Sequence, residues 1–222
     1  AQNGPWCFGL CPAGKMCPGA TGTPLPCSAG GFCAGNASAP EDCPAGRFGD
    51  RVGLKSAACP AKDSAGDAPS RCPAGYVCPS GTAVSTSIKC GSPRALDLLE
   101  ALERNAPLPE RGETLRGGGL GAAAFCPRGS ASIKRVRRGY YSIGPATKPL
   151  SESEDTDLNI RRDEVLCEAG HYCVGGVRFE CGGPSVYCDA QVSNTTDVRP
   201  GYYSTPVTSS NRTRSCELVC PA

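Results

Sequence analysis

The chain has one histidine, one tryptophan and one methionine, and aromatic residues fill only 6% of its 222 positions. Leucine, isoleucine, valine and phenylalanine together make up about 16% of it, under the roughly 20% that marks chains short of a conventional interior. Such chains are disordered when strongly charged, but the formal net charge here is only +2. No apolar run approaches the roughly 18 residues needed to span a bilayer, so any anchor must lie outside this sequence. The near-neutral charge gives no electrostatic case for nucleic acid.

What replaces the missing core is cysteine, 17 residues of it. Zinc sites favour C-x2-C pairs and recruit histidine, and this chain has no C-x2-C and only His171. Cysteines at this density imply an oxidising compartment and a disulfide framework. The candidates are Cys7, Cys11, Cys17, Cys27, Cys33, Cys43, Cys59, Cys72, Cys78, Cys90, Cys126, Cys167, Cys173, Cys181, Cys188, Cys216 and Cys220. Their connectivity stays open at this stage. Sequons at Asn36, Asn194 and Asn211 agree with a secreted or cell-surface glycoprotein carrying N-linked glycans.

One template accounts for many of the cysteines. It reads "CPAGKMC" at Cys11, "CSAGGFC" at Cys27, "CPAGYVC" at Cys72 and "CEAGHYC" at Cys167. "CPAGRFG" at Cys43 and "CPRG" at Cys126 read as shortened relatives. The internal glycine suits a turn needing positive φ, and proline after the first cysteine presets the entry. The large residue before the second cysteine can cover a disulfide. Units this small need neighbours, so the expected fold is a set of small disulfide-rich repeats, mostly irregular with short β-hairpins, one short α-helix and an elongated form.

Both ends carry C-x3-C-P-A, at Cys7 and at Cys216, so Ala222 is expected to stop midway through a unit. Ala1 opens without methionine, as though an upstream segment is missing. The odd cysteine count then has a partner outside the segment, or an intermolecular disulfide. Three regions follow: tandem repeats over 1–90, an inserted helix and Gly/Pro-rich linker over 91–125, and two larger modules over 126–222. The helix is predicted from "SPRALDLLEALERN", with Ser92 as N-cap, Pro93 at the first position and Leu98, Leu99 and Leu102 on one face. The acidic run "SESEDTD" at Ser151 lacks the pattern of a calcium loop and reads as solvated.

The two modules open on near copies, "VRRGYYS" at Val136 and "VRPGYYS" at Val198. Paired tyrosines favour a short strand after a glycine turn, so the motif reads as architectural. Tyr140, Tyr141, Tyr202 and Tyr203, with the leucine face, are the candidate assembly surface. "KRVRRG" at Lys134 also fits a secretory cleavage site between Arg138 and Gly139, or a small anion-binding cluster. Catalysis finds no support. His171 fills a variable template slot, Trp6 beside Cys7 suits packing on a disulfide, and no nucleophile–base pair, metal site, cofactor fingerprint or paired carboxylates appear.

The units "CPAGKMC", "CSAGGFC…CPAGRFG" and "CPAGYVCPSGT" resemble the cysteine-rich repeats named after the ephrin-receptor ectodomain. "GYYS…CEAGHYCVGGVRFEC" is similar to the form multiplied in large surface glycoproteins of protists and algae, including those of flagellar hairs (mastigonemes). The resemblance covers about two-thirds of the chain, excluding about Gly91 to Phe125. It implies an extracellular structural segment of a filament, flagellar hair or surface coat, assembling with itself or with other glycoproteins at a cell or cilium surface. A ligand-binding adhesin or receptor ectodomain is the alternative. The double tyrosines and the insert depart from the receptor pattern, and no signalling role carries over.

Overall fold

In a computed structural model, residues 10–19, 22–61, 68–96, 121–144 and 159–221 are described. Trp6, Cys7, Leu98, Leu99, Leu102, most of the linker and the acidic run lie outside them. The chain divides into two compact bodies, 1–88 with 128–132, and 89–127 with 133–222.

The fold is small, disulfide-rich and mostly irregular, with short antiparallel hairpins. Its unit is one tight turn. In the first, the Pro12 carbonyl accepts the Lys15 N–H at 3.1 Å across Gly14, whose φ is +85°. A turn with positive φ at its third residue is the type II form, and glycine takes it without strain. The same bond recurs from Gly31 to Ser28, Arg47 to Pro44, Tyr76 to Pro73 and His171 to Glu168, at 3.0–3.3 Å. A disulfide closes the turns at Cys11–Cys17, Cys27–Cys33, Cys72–Cys78 and Cys167–Cys173 over six residues each, and at Cys181–Cys188 over seven. Chain-entropy arguments give such small rings about 2 kcal/mol each.

Successive turns are joined by backbone hydrogen bonds. In the first body, the opening Cys27, Cys43 and Cys72 donate to the carbonyls of Gly14, Gly30 and Gly46 at 2.8–3.1 Å. The closing Cys17, Cys33 and Cys78 donate forward to Ala37, Leu54 and Ser130 at 2.9–3.1 Å. The residue before each acceptor has positive φ: Asn36 at 68°, Gly53 at 77° and Gly129 at 85°. These same residues donate back to the carbonyls of Cys11, Cys27 and Cys72 at 2.8 Å. Gly14 lies so close to the Gly53 carbonyl that an added Cβ would stand 2.5 Å from its oxygen. Short strands frame the turns: β1 (Lys15–Met16) pairs with β2 (Leu25–Pro26), and β3 (Gly31–Phe32) with β4 (Glu41–Asp42).

Two units depart from the template. After Cys43 the closing position holds Gly49, and Cys43 pairs with Cys59, 16 residues away. A Cβ at Gly49 would stand 2.8 Å from the Cys43 sulfur, so glycine clears the path to Cys59. Phe32, Cys43, Leu54 and Cys59 pack there as a small core. Cys90 pairs with Cys126 across 36 residues, a loop worth about 4 kcal/mol on the same reckoning. Cys126 is therefore a closing cysteine preceded by the large residue Phe125, and "CPRG" does not open a unit. Its Gly129 is the positive-φ residue that follows a closing cysteine, as Gly81 follows Cys78. The helix begins where expected, with residues 93–96 helical and the Ser92 hydroxyl accepting the Ala95 N–H at 3.4 Å.

In the second body, the short 3-10 turn Gly121–Ala123 leads into β5 (Ala124–Phe125), which pairs with β6 (Lys134–Arg135). β7 (Tyr140–Ile143) pairs with β8 (Asp163–Leu166), and β9 (His171–Val174) with β10 (Val177–Glu180). β11 (Val186–Tyr187) pairs with β12 (Thr196–Asp197), and β13 (Tyr202–Pro206) with β14 (Arg214–Val219). Among the described residues, 14 of the 16 cysteines form seven disulfides, and most of those sulfurs are buried. Sulfur is the core of this protein.

Gly14→Ala should destabilise the first body by about 1–3 kcal/mol, because the turn must open and a backbone contact must shift. Gly19→Ala, with nothing within 4 Å of the added carbon, should change little. Denaturant titration with the disulfides intact compares the two, and equal losses would contradict the turn assignment.

Candidate assembly surface

The two tyrosine motifs are the same turn without its sulfur. Tyr140 donates to Arg137 and Tyr202 to Arg199, each at 3.1 Å, across Gly139 (φ +72°) and Gly201 (φ +85°). Cys167 and Cys220 then donate to the Gly139 and Gly201 carbonyls at 2.9 Å, as opening cysteines do elsewhere. Val136 and Val198 thus stand in the opening-cysteine position, and Ser142 and Ser204 in the closing one. Aligning the cysteines alone would match Cys167 to Cys216, whereas the strand registers match it to Cys220. Ser142 faces Glu164, and Ser204 faces Glu217.

Hydrogen bonds and ion pairs take the place of the disulfide. Arg137 donates its backbone N–H and its Nε to the Glu164 carboxylate, at 3.0 and 2.6 Å. Its guanidinium lies 4.0 Å from the centre of the Tyr140 ring. Arg199, Glu217 and Tyr202 repeat the clasp at 3.1, 2.5 and 4.4 Å. The hydrogen bond to Glu217, and then its charge, raise the Arg199 pKa further above its ordinary value.

Beneath each clasp lies a buried arginine. Arg161 is 1% exposed and donates to the Ser142 hydroxyl at 3.0 Å and to its carbonyl at 2.7 Å. Burial pulls its pKa down to about 10, so it remains charged at neutral pH. Arg214 makes the same contacts with the Ser204 hydroxyl and carbonyl, and binds Asn211 at its carbonyl and amide oxygens. The carbonyls of Arg161 and Arg214 accept the N–H groups of Cys126 and Cys188 at 2.9 Å. Each arginine therefore sits in the ladder between one turn and the next. The sequence shows arginines after both loops but gives no sign that either is buried.

The four tyrosines have different fates. Tyr140 and Tyr202 serve the clasps. Tyr141 is 7% exposed, packed with Cys167, Cys173 and Ile143, so it is not an exposed contact residue. Its burial, then the Glu168 charge, raise its pKa, and Arg178 opposes them. Tyr203 is 43% exposed and stays a surface residue, alongside exposed Leu218 and Val219 on β14. Asn36, Asn194 and Asn211 are all exposed.

Cys216 and Cys220 carry no disulfide. Four positions apart on a strand they are about 13 Å apart, beyond the roughly 7 Å that a disulfide can bridge. The basic cluster is part of the folded turn: Lys134 and Arg135 lie in β6, Arg137 is in the clasp, and Arg138 donates to the Ser193 hydroxyl at 3.1 Å. Gly139 is buried.

His171 is buried on β9, its Nδ1 3.9 Å from the Glu168 carboxylate and outside hydrogen-bonding reach. Burial lowers its pKa most, with help from Arg178, against the raising effects of Glu168, the Ala169 backbone and Glu180. Among the described residues no group of histidine, cysteine or carboxylate side chains could hold a metal.

As the only histidine, His171 gives an unambiguous proton resonance, and its titration midpoint should fall below 6.5. The unfolded chain then binds the proton more readily. The stabilisation is complete above 6.5 and is lost as pH falls from there through the folded midpoint. A midpoint at or above 6.5 would contradict this. Arg161→Ala should cost about 2–4 kcal/mol, because the Ser142 hydroxyl and carbonyl lose their donor inside the protein. Glu164→Gln, on an exposed arginine, should cost about 1 kcal/mol or less. Denaturation of the two variants side by side tests that order.

No protein-family model matches the chain, and neither does any curated protein. The functional reading therefore rests on the molecule's own turns, clasps and exposed faces.

Proposed function

We propose that this chain is an extracellular structural segment whose units hold shape and assemble, as in a filament, flagellar hair or surface coat. One observation carries the reading: successive turns spend their backbone donors and acceptors on one another. Seven disulfides agree with an extracellular or secreted setting, and no helix among the described residues is long and apolar enough to cross a membrane. The role is mechanical rather than enzymatic. Disulfides restrict the unfolded chain, and the ladder passes load from one backbone to its neighbour. N-glycans on the exposed Asn36, Asn194 and Asn211 would keep the remaining surface hydrated, and contact with itself or with other glycoproteins would use exposed residues such as Tyr203.

Light scattering of the secreted, glycosylated protein at rising concentration is the test. Association that weakens at least several-fold in Tyr203→Ser supports the reading. A monomer at every concentration that captures a soluble ligand would instead favour an adhesin or receptor ectodomain.

A further inference from the structure

The two tyrosine turns are alike in sequence and in backbone bonding, but their surroundings differ. In front of Gly139, where a side chain would stand, lies the carbonyl of Gln191, a left-handed residue with φ of 65°. Gly14, Gly30 and Gly46 face the carbonyls of left-handed Gly53, Gly81 and Gly129 in the same way. Gly201 holds the same conformation at +85°, with nothing within 4 Å of the same point.

Two further differences lie on the same face. Ser142, in the closing position, donates its N–H to the Gly176 carbonyl of the following turn at 2.9 Å. Among the described residues Ser204 makes no such bond to a following turn. Tyr141 is covered by the Cys167–Cys173 turn and bridges to Gly176, while Tyr203, its counterpart, is 43% exposed. Cys220 already donates to Gly201 as an opening cysteine does, yet it is unpaired.

We infer that the surface formed by Gly201, Tyr203 and the Ser204 N–H is a docking site for one further turn of the C-x-A-G-x-[large]-C kind together with the segment that follows it. The occupant brings a closing cysteine for Cys220, a carbonyl for the Ser204 N–H, and a left-handed residue whose carbonyl fills the space before Gly201. The chemistry is fixed by the covered copy, in which the Cys167–Cys173 turn packs on Tyr141 and the segment after it supplies the Gly176 and Gln191 carbonyls. Cys216 has no part in it, because its place in the first hairpin is held by Asp163. This goes beyond the mechanical reading: docking can hold whether or not the protein forms a filament, and light scattering reports on the filament alone.

The test extends the full chain after Ala222 with a copy of its own residues 170–192, supplying the covering turn, the Cys181–Cys188 turn and the left-handed Gln191. The expected result has three parts. Cys220 forms a disulfide with the copied Cys173 and no longer reacts with maleimide, while Cys216 still does. The Ser204 amide exchanges at least about tenfold more slowly, as the bond to Gly176 predicts. Gly201→Val in the extended chain keeps the disulfide but loses the amide protection, since its side chain occupies the place of the left-handed carbonyl. An added segment that closes its own disulfides while the Ser204 amide and Tyr203 stay as accessible as before would overturn the proposal. So would pairing of the new cysteine with Cys216.

Discussion

The structure depends on one constraint, the close approach of two backbones across a residue that has no side chain. A type II turn places its third residue at positive φ, where a Cβ is strained, and the neighbouring carbonyl occupies the space that a Cβ would need. Gly14 against Gly53 satisfies both conditions. Once the turn is fixed, an opening-cysteine N–H reaches the glycine carbonyl and a closing-cysteine N–H reaches the next segment. The disulfide then locks a geometry that the backbone has already chosen. This explains how a chain with so few large apolar residues can fold: contacts run between adjacent turns, and no distant layers have to meet around a common interior.

The two turns without sulfur show which part of the unit is essential. Val136 and Ser142 replace a cysteine pair, yet the turn bond, the glycine conformation and the bond from Cys167 are all retained. What is lost is a covalent ring closure worth about 2 kcal/mol. Two substitutes are present in its place: a solvent-facing ion pair held over a tyrosine ring, and a buried arginine spanning a serine hydroxyl and carbonyl. The exposed pair is the weaker of the two, because water screens it and long side chains must be ordered to make it. The buried arginine is the stronger constraint, since its desolvated charge keeps its partners only while the neighbouring turn stays in place.

Much of this was legible in the sequence, and the failures have physical causes. The glycine turn, the six-residue cysteine spacing, the large residue before the closing cysteine and the Ser92 cap are local features, so composition and spacing reveal them. Val136 to Ser142 does not stand out as a turn unit, because valine and serine hold the two cysteine positions. Its remaining signal is a glycine followed two places later by a large residue, Gly139 and Tyr141. Cys126 resembles an opening cysteine in sequence because C-P-x-G also follows closing cysteines, where the glycine serves the neighbouring turn and not its own. The Cys43–Cys59 and Cys90–Cys126 pairings and the burial of Arg161 depend on what lies across the ladder, which no single stretch encodes. Charged residues are ordinarily placed outside, and Arg161 and Arg214 depart from this because a serine hydroxyl and carbonyl on the strand beside each accept their hydrogen bonds.

The same ladder limits where specificity can reside. Donors and acceptors used between turns cannot also recognise a partner, so the available surface consists of loops, strand edges and the faces of turns that lack a following neighbour. Tyr141 and Tyr203 make the point, being alike in sequence, turn and strand register, with one buried and one exposed. The difference lies in the turn that covers the first. In a repeat protein of this kind a side chain's role is therefore set by what stacks on it as much as by its own chemistry. Identical motifs along the chain can serve as core in one place and as contact surface in another.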